Sequence, residues 1–174
     1  MKGLIHIYEG DGKGKTSTAV GLAVRCAGNG EKVVFTQFLK DNTSGELSIL
    51  AHLEMVTFLP AEQSFGFYFN MTEEQKREAE LFYRRHFEQA VACALNNQCR
   101  LLVLDELMAA VNCNLVEKNR VIEFLKEKPE EMEVVMTGRD PAVEFINLAD
   151  YVSKIVKIKH PFDQGIGARK GIEY

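Results

Sequence analysis

Along the chain, short runs that are apolar at nearly every position alternate with longer stretches in which apolar residues recur every three or four positions. The runs are GLIHIYE (3–9), KVVFTQF (32–38), EMVTFLP (54–60), RLLVLDEL (100–107), MEVVMTG (132–138) and YVSKIVKIK (151–159). Their length and β-branched content, and the glycine, proline or polar residues that close them, predict strands. Strands without polar alternation are buried on both faces, the mark of a parallel sheet. Between them, KTSTAVGLAVRCAG (15–28) predicts a helix stopped by GNG. A short helix is expected within DNTSGELSILAHL. The longest helix has Thr72 as N-cap and Gln75 completing a capping box, and runs to about Asn96 on a stripe of Ala79, Phe82, Phe87, Val91 and Leu95. LVEKNRVIEFLKEK (115–128) is amphipathic and ends at Pro129, and DPAVEFINLA predicts a helix with Pro141 in its first turn. The pattern is that of one α/β domain spanning 1–174: a mostly parallel sheet of about six strands with helices on both faces. No repeat, linker or low-complexity segment interrupts it.

Composition narrows the classes. The chain is 46% hydrophobic and 26% charged, with a formal net charge of -4. That balance argues against a protein that coats nucleic acid. Cys26, Cys93, Cys99 and Cys113 form no C-x-x-C pair and stand at no zinc-like spacing with His6, His52, His86 or His160. Free thiols in a reducing compartment are the expectation. No apolar run approaches the roughly 20 residues that cross a bilayer, and the N-terminus lacks a signal-peptide pattern. A soluble, cytoplasmic protein with no membrane partner is expected.

The candidate chemistry opens at YEGDGKGKTS (8–17). The general phosphate-loop pattern G-x-x-x-x-G-K-[ST] requires glycine at position 9, where this chain has Glu9; the first loop glycine is Gly10. The context is nevertheless strand, loop, helix. Gly10, Asp11, Gly12, Lys13 and Gly14 can turn successive backbone N–H groups into one concavity, and the helix N-terminus adds its dipole. Lys15 can reach phosphate oxygens, the Thr16 hydroxyl can ligate magnesium, and Ser17 continues the first turn. A second acidic element is expected at the same edge, and LLVLDEL supplies Asp105 and Glu106 at the end of an apolar strand. With Thr16 they form the candidate Mg2+ site; spacing leaves open which carboxylate coordinates directly. This combination predicts a three-layer, P-loop NTPase-like (RecA-like) domain.

Six segments in one order, GDGKGKTS, VVFTQFLK, LLVLDEL, VVMTGRDP, LADYVSKIVKIKHPFDQGI and ARKGIEY, resemble the ATP:corrinoid adenosyltransferases. The loop of that family also begins one residue late, as G-[ND]-G-K-G-K-T-[ST]. The resemblance implies transfer of the 5′-deoxyadenosyl group of ATP to Co(I) of a corrinoid, with triphosphate leaving whole, in adenosylcobalamin biosynthesis or salvage. It implies ATP lying in the loop with its phosphates reversed relative to ordinary NTPases, with Lys15 and Glu106 catalytic. It also implies a homodimer and a transient reductase that supplies electrons to cobalt. GFYFN (66–70) corresponds to a Gly-Phe-x-Trp segment whose aromatics lie beside the corrin. Phe67 matches the phenylalanine, whereas Phe69 stands where the tryptophan would be. Arg139 matches an arginine near the nucleotide. Lys159, His160, Arg169 and Lys170 give the tail a positive bias, and the family's tail folds over the nucleotide. Many relatives carry a segment before the first strand that closes the site. Here closure is expected from the 38–44 loop or the tail.

Two other readings stand beside this one. A P-loop ATPase or small-molecule kinase would use Glu106 as base and release orthophosphate or ADP. A non-catalytic ATP- or corrinoid-binding module would bind without turnover.

Overall fold

The computed structural model describes residues 2–173. Six strands form a single sheet in the order β3-β2-β4-β5-β1-β6, with β1 at Ile5–Glu9, β2 at Val33–Gln37, β3 at Val56–Leu59, β4 at Leu101–Asp105, β5 at Glu133–Gly138 and β6 at Tyr151–Lys154. Every neighbouring pair is parallel, so the expected "mostly parallel" sheet is wholly parallel. All strands therefore end at one edge, where ligands of such folds bind.

The period-2 geometry of the strands divides their side chains between two cores. Val33, Phe35, Leu101, Val103 and Val135 face α1 (Lys15–Gly28) and α2 (Gly45–Leu50). Val34, Leu102, Leu104, Val134 and Met136 face the other way. There they meet α3 (Glu73–Asn96), α4 (Leu107–Asn112), α5 (Lys118–Glu127) and α6 (Val143–Leu148). Helix α1 meets the sheet through Ala19 and Ala23, small residues that let its backbone approach closely. Helix α3 starts as expected: the Thr72 hydroxyl accepts from Gln75 N at 3.2 Å and the Gln75 side chain accepts from Thr72 N at 2.9 Å. Such a cap contributes ~1 kcal/mol.

Four expectations need correction. The run 100–107 is not all strand. The chain leaves β4 after Asp105, passes through a left-handed residue at Glu106 (φ 61°), and enters α4 at Leu107. Periodicity could not reveal α4, because a short buried helix and a buried strand are equally apolar. Pro141 lies outside α6, whose N-cap is Ala142. Strand β6 is four residues long and exposed throughout, because it forms the sheet edge and no helix covers it. Leu95 is also exposed, and Ala90 and Ala94 join Ala79, Phe82, Phe87 and Val91 in the buried stripe instead.

One buried polar pair lies on the α3 face. Thr36 Oγ1 donates to Leu59 O at 2.8 Å and lies 2.7 Å from His86 Nε2. His86 is stacked on Phe82 and edge-on to Phe38. Burial pushes its pKa down from 6.5 to about 4. A depressed histidine favours the folded state fully above its unfolded pKa, and that contribution is lost as pH falls from 6.5 toward 4. The limit is roughly 3 kcal/mol. Thermal melts of wild type and His86→Gln should show a steeper loss of stability for wild type across this window; parallel pH profiles would refute the assignment.

Candidate active site at the carboxyl edge of the sheet

Strand β1 is paired on both sides up to Glu9, with Gly138 of β5 and Lys154 of β6. The phosphate loop therefore cannot begin at position 9. It begins at Gly10, whose φ is 116° and whose added Cβ would meet Ile155 O at 2.4 Å. Gly12 N donates to the same carbonyl at 2.8 Å, and Lys157 N donates to Asp11 Oδ1 at 3.0 Å. That bond holds the Asp11 carboxyl below its ordinary range. The segment leaving β6 thus braces the loop from outside, which accounts for the one-residue offset from the general motif.

At the foot of the loop lies a buried carboxylate. Asp105 ends β4 with no exposed surface. The Thr16 hydroxyl lies 3.0 and 3.2 Å from its two oxygens, and the Thr137 hydroxyl at the end of β5 donates to Oδ1 at 2.6 Å. On the other side, Gln37 Nε2 at the end of β2 donates to Oδ2 at 2.9 Å, and Lys40 Nζ stands 2.8 Å from the same oxygen. Lys40 Nζ is also 3.1 Å from Thr16 Oγ1. Four elements or their exits therefore converge on one carboxylate. Glu106, set by its left-handed backbone, donates its N–H to Thr137 Oγ1 at 2.8 Å. Burial, then the neighbouring Asp105, raises its pKa, opposed by Lys40, Lys15 and Arg139. Burial lowers the pKa of Lys15, with Glu106 opposing; Lys15 Nζ donates to Gly12 O at 3.0 Å. Arg139 follows β5, is exposed, and adds to the positive field felt by Lys15 and Glu106.

Thr16 and Ser17 also line an open cleft of about 870 Å³. Lys40, Asp41 and Thr43 form part of its wall, Gly66 and Phe67 another, and Gly171, Ile172 and Glu173 of the tail a third. Phe67 is 82% exposed and Phe69 90%. Phe67 belongs to the cleft, whereas Phe69 lies outside its lining and packs edge-on to Tyr68. The structure thus brings together Gly10 to Ser17, Asp105, Glu106, Arg139 and, across the cleft, Phe67. It does not bring Phe69 there. Gln37, Lys40 and Thr137 are the site residues that sequence reasoning missed. Gln37 and Thr137 carried a signal: each is a buried polar residue near the end of a mostly apolar strand.

A family model described as ATP:corrinoid adenosyltransferase BtuR/CobO/CobP matches residues 1–174. The chain belongs to this family. A corrinoid adenosyltransferase of Escherichia coli K12 is 33% identical over 175 residues, covering 99% of this chain and 86% of the relative. The corresponding enzyme of Salmonella typhimurium LT2 is 34% identical over 178 residues, again covering 99% and 86%, and that of Pseudomonas aeruginosa PAO1 is 32% identical over 179. Among solved structures, EssC ATPases 2 and 3 of Geobacillus thermodenitrificans superpose with TM-score 0.54 at 14% identity. That match covers 97% of this chain and 35% of EssC, so the chain spans about a third of that structure. At such identity the likeness concerns the fold alone, and it agrees with a three-layer, P-loop NTPase-like architecture for this adenosyltransferase family member.

The adenosyltransferase tail is tied to the phosphate loop by Glu173. Its carboxylate accepts from Arg169 N, Nε and Nη2 and from Lys13 Nζ at 2.8–3.1 Å, and these bonds, those from Arg169 first, lower its pKa to about 2. In Glu173→Gln, trypsin should cut after Arg169 and Lys170 about threefold faster or more, because the tail is then less often held. Unchanged cleavage would show that this bond set does not restrain the tail.

Proposed function

We propose that this chain transfers the 5′-deoxyadenosyl group of ATP to the Co(I) centre of a corrinoid and releases triphosphate. The observation that carries the reading is that Thr16 and Ser17, the first turn after the phosphate loop, and an exposed Phe67 line one open cleft. A nucleotide and a large planar partner could face each other there. Family membership supplies the reaction class.

In this reaction Co(I) uses its electron pair to form the bond to C5′, the C5′–O5′ bond breaks, and that bond's electrons leave on the triphosphate. Cobalt is formally oxidised to Co(III). No proton is removed, so no general base is required. The loop's N–H groups and Lys15 stabilise negative charge as it accumulates on the leaving group. The lowered Lys15 pKa reflects desolvation, which also strengthens its attraction to phosphate. Glu106 sits within the electrostatic reach of Lys15 and orients it. Arg139 adds positive charge at the same edge. Phe67 offers an aromatic face for the corrin; Phe69 is the weaker candidate.

The residues present fit a magnesium ion. Thr16 Oγ1 and both Asp105 oxygens converge, and Gln37 Oε1 is buried beside them without a hydrogen-bond partner among the described residues. No group of three or more His, Cys, Asp or Glu able to hold a metal occurs among those residues. That suits magnesium, which is held by one or two carboxylates together with substrate phosphates. Thr16 and Asp105 would hold it, with Glu106 farther out, and the ion would neutralise charge on the leaving triphosphate. Formation of Co(I) requires an electron donor, so the reading includes a reductase. No helix among the described residues is long and apolar enough to cross a membrane.

Incubation with ATP, magnesium and chemically reduced cobalamin should yield the spectrum of the adenosylated corrinoid and stoichiometric triphosphate. Orthophosphate or ADP would instead indicate the ATPase or kinase reading. Lys15→Ala and Glu106→Ala should each lower transfer ~100-fold or more; near-normal rates in either would refute its role. Phe67→Ala should slow transfer chiefly to corrinoids that bear a lower axial ligand. Equal slowing on corrinoids without that ligand would mean that Phe67 only packs.

A further inference from the structure

Among the described residues Lys40 is the one cation in direct contact with the buried carboxylate, and no phosphate-loop motif includes it. Its ammonium lies 2.8 Å from Asp105 Oδ2 and 3.1 Å from Thr16 Oγ1. Those are the two groups that the magnesium reading assigns as ligands. An ammonium at that position and a divalent cation cannot share the same two oxygens: the contacts overlap sterically, and the charges repel at about the separation of a salt bridge.

The segment that carries Lys40 is tied at both ends and strained between them. Its root is anchored where Phe38 N donates to Asp105 O at 2.9 Å. Leu39 (φ 55°) and Asn42 (φ 59°) both occupy the left-handed region, which is sparsely populated for residues other than glycine. At its tip, Asn42 Nδ2 donates to Ala61 O at 2.6 Å, joining it to the stretch that leads into Gly66 and Phe67. Leu39, Lys40, Asp41 and Thr43 line the same cleft as Phe67.

We propose that Lys40 acts as a built-in competitor of the divalent cation. It neutralises Asp105 when no metal is bound and leaves Thr16 and Asp105 when the metal arrives, shifting the 39–44 segment toward the Phe67 side of the cleft. The ammonium is then free to meet the added negative charge of the triphosphate. Lys40 is a positioning residue in this scheme: it couples metal loading to the shape of the wall that faces the second substrate. The proposal rests on the reading that Thr16 and Asp105 hold magnesium.

The test counts free Mn2+ by its EPR signal during titration of nucleotide-free protein. Lys40→Met should bind Mn2+ on the order of tenfold more tightly than wild type, because the competitor is gone. As the control in each comparison, Lys126→Met removes an exposed charge on α5 and should change affinity less than about twofold, since solvent screens it. Equal tightening in both variants, or none in Lys40→Met, overturns the proposal. In thermal melts with EDTA, Lys40→Met should lose ~5 °C or more, because Asp105 remains buried without its ion pair. Magnesium should restore more of that loss than it adds to wild type; equal magnesium shifts count against the competition. Amide exchange over 39–44 should rise in wild type on adding magnesium and already be high in Lys40→Met. Exchange unaffected by either overturns the coupling to the loop. If Lys40→Met does not fold, Lys40→Gln serves the same three measurements. Failure of wild type and all variants to bind Mn2+, together with ATP binding indifferent to magnesium, defeats the metal reading and this proposal with it. Normal metal binding with no Lys40 effect defeats only the proposal.

Discussion

A single carboxylate, fully withdrawn from solvent at the end of β4, holds the carboxyl edge of the sheet together. An unpaired buried carboxylate is prohibitively costly, so its position is tolerable only if donors surround it. Asp105 has them from four directions: Thr16 from the start of α1, Thr137 from β5, Gln37 from β2 and Lys40 from the segment after β2. Each donor is correctly placed only if its own strand or helix is in register. Gln37 lies directly across from Asp105 in the β2–β4 pairing. A slip of one residue there would point Gln37 to the opposite face and leave the carboxylate short of a donor. The interaction therefore ties the register of the sheet to the geometry of the site.

The same carboxylate explains the abrupt turn that follows it. Strand β4 must stop at Asp105 for the side chain to face the phosphate loop, and the chain must then leave the sheet at once. Glu106 takes the left-handed conformation and α4 begins at the next residue. Gly138, at the corresponding end of β5, accepts a φ of 142°, and an added Cβ would lie 2.5 Å from Met108 Cβ. Close packing of α4 on β5 is thus compatible only with glycine there. On the far side, the chain leaving β6 carries Ile155 against Gly10 and Gly12, and Lys157 against Asp11. The phosphate loop is held between this outer brace and the carboxylate beneath it. Its preorganisation is a property of the whole edge rather than of the glycine pattern alone.

Much of this was legible in the chain because it rests on short-range rules. The capping box at Thr72 and Gln75 is a local exchange of hydrogen bonds, and the helix starts where that pattern places it. Helix α1 spans the residues expected, since the loop glycines fix its start and GNG its end. Other features were not legible for physical reasons that differ from case to case. Helix α4 is apolar from Leu107 to Val111 and mostly buried there, so no periodicity separates it from the strand before it. Strand β6 opens the run YVSKIVKIK, which is as β-branched as its neighbour β1, yet it is exposed; only the strand order makes it an edge. Lys40 looks like any lysine at the end of a strand, and its contact with Asp105 spans 65 residues of chain.

Taken alone, the sequence determined the alternation of strands and helices, the phosphate loop with its displaced first glycine, the acidic pair and the family. All of these depend on residue order over short distances, where spacing and side-chain chemistry constrain the backbone directly. Tertiary structure decided which strands are neighbours, that β5 stands between the loop strand and the acidic strand, and that Thr137, Gln37 and Lys40 meet at Asp105. It also decided that Phe67 shares the cleft and Phe69 does not. Those outcomes follow from how two cores pack against one twisted parallel sheet, and packing between distant segments leaves no local pattern in the chain.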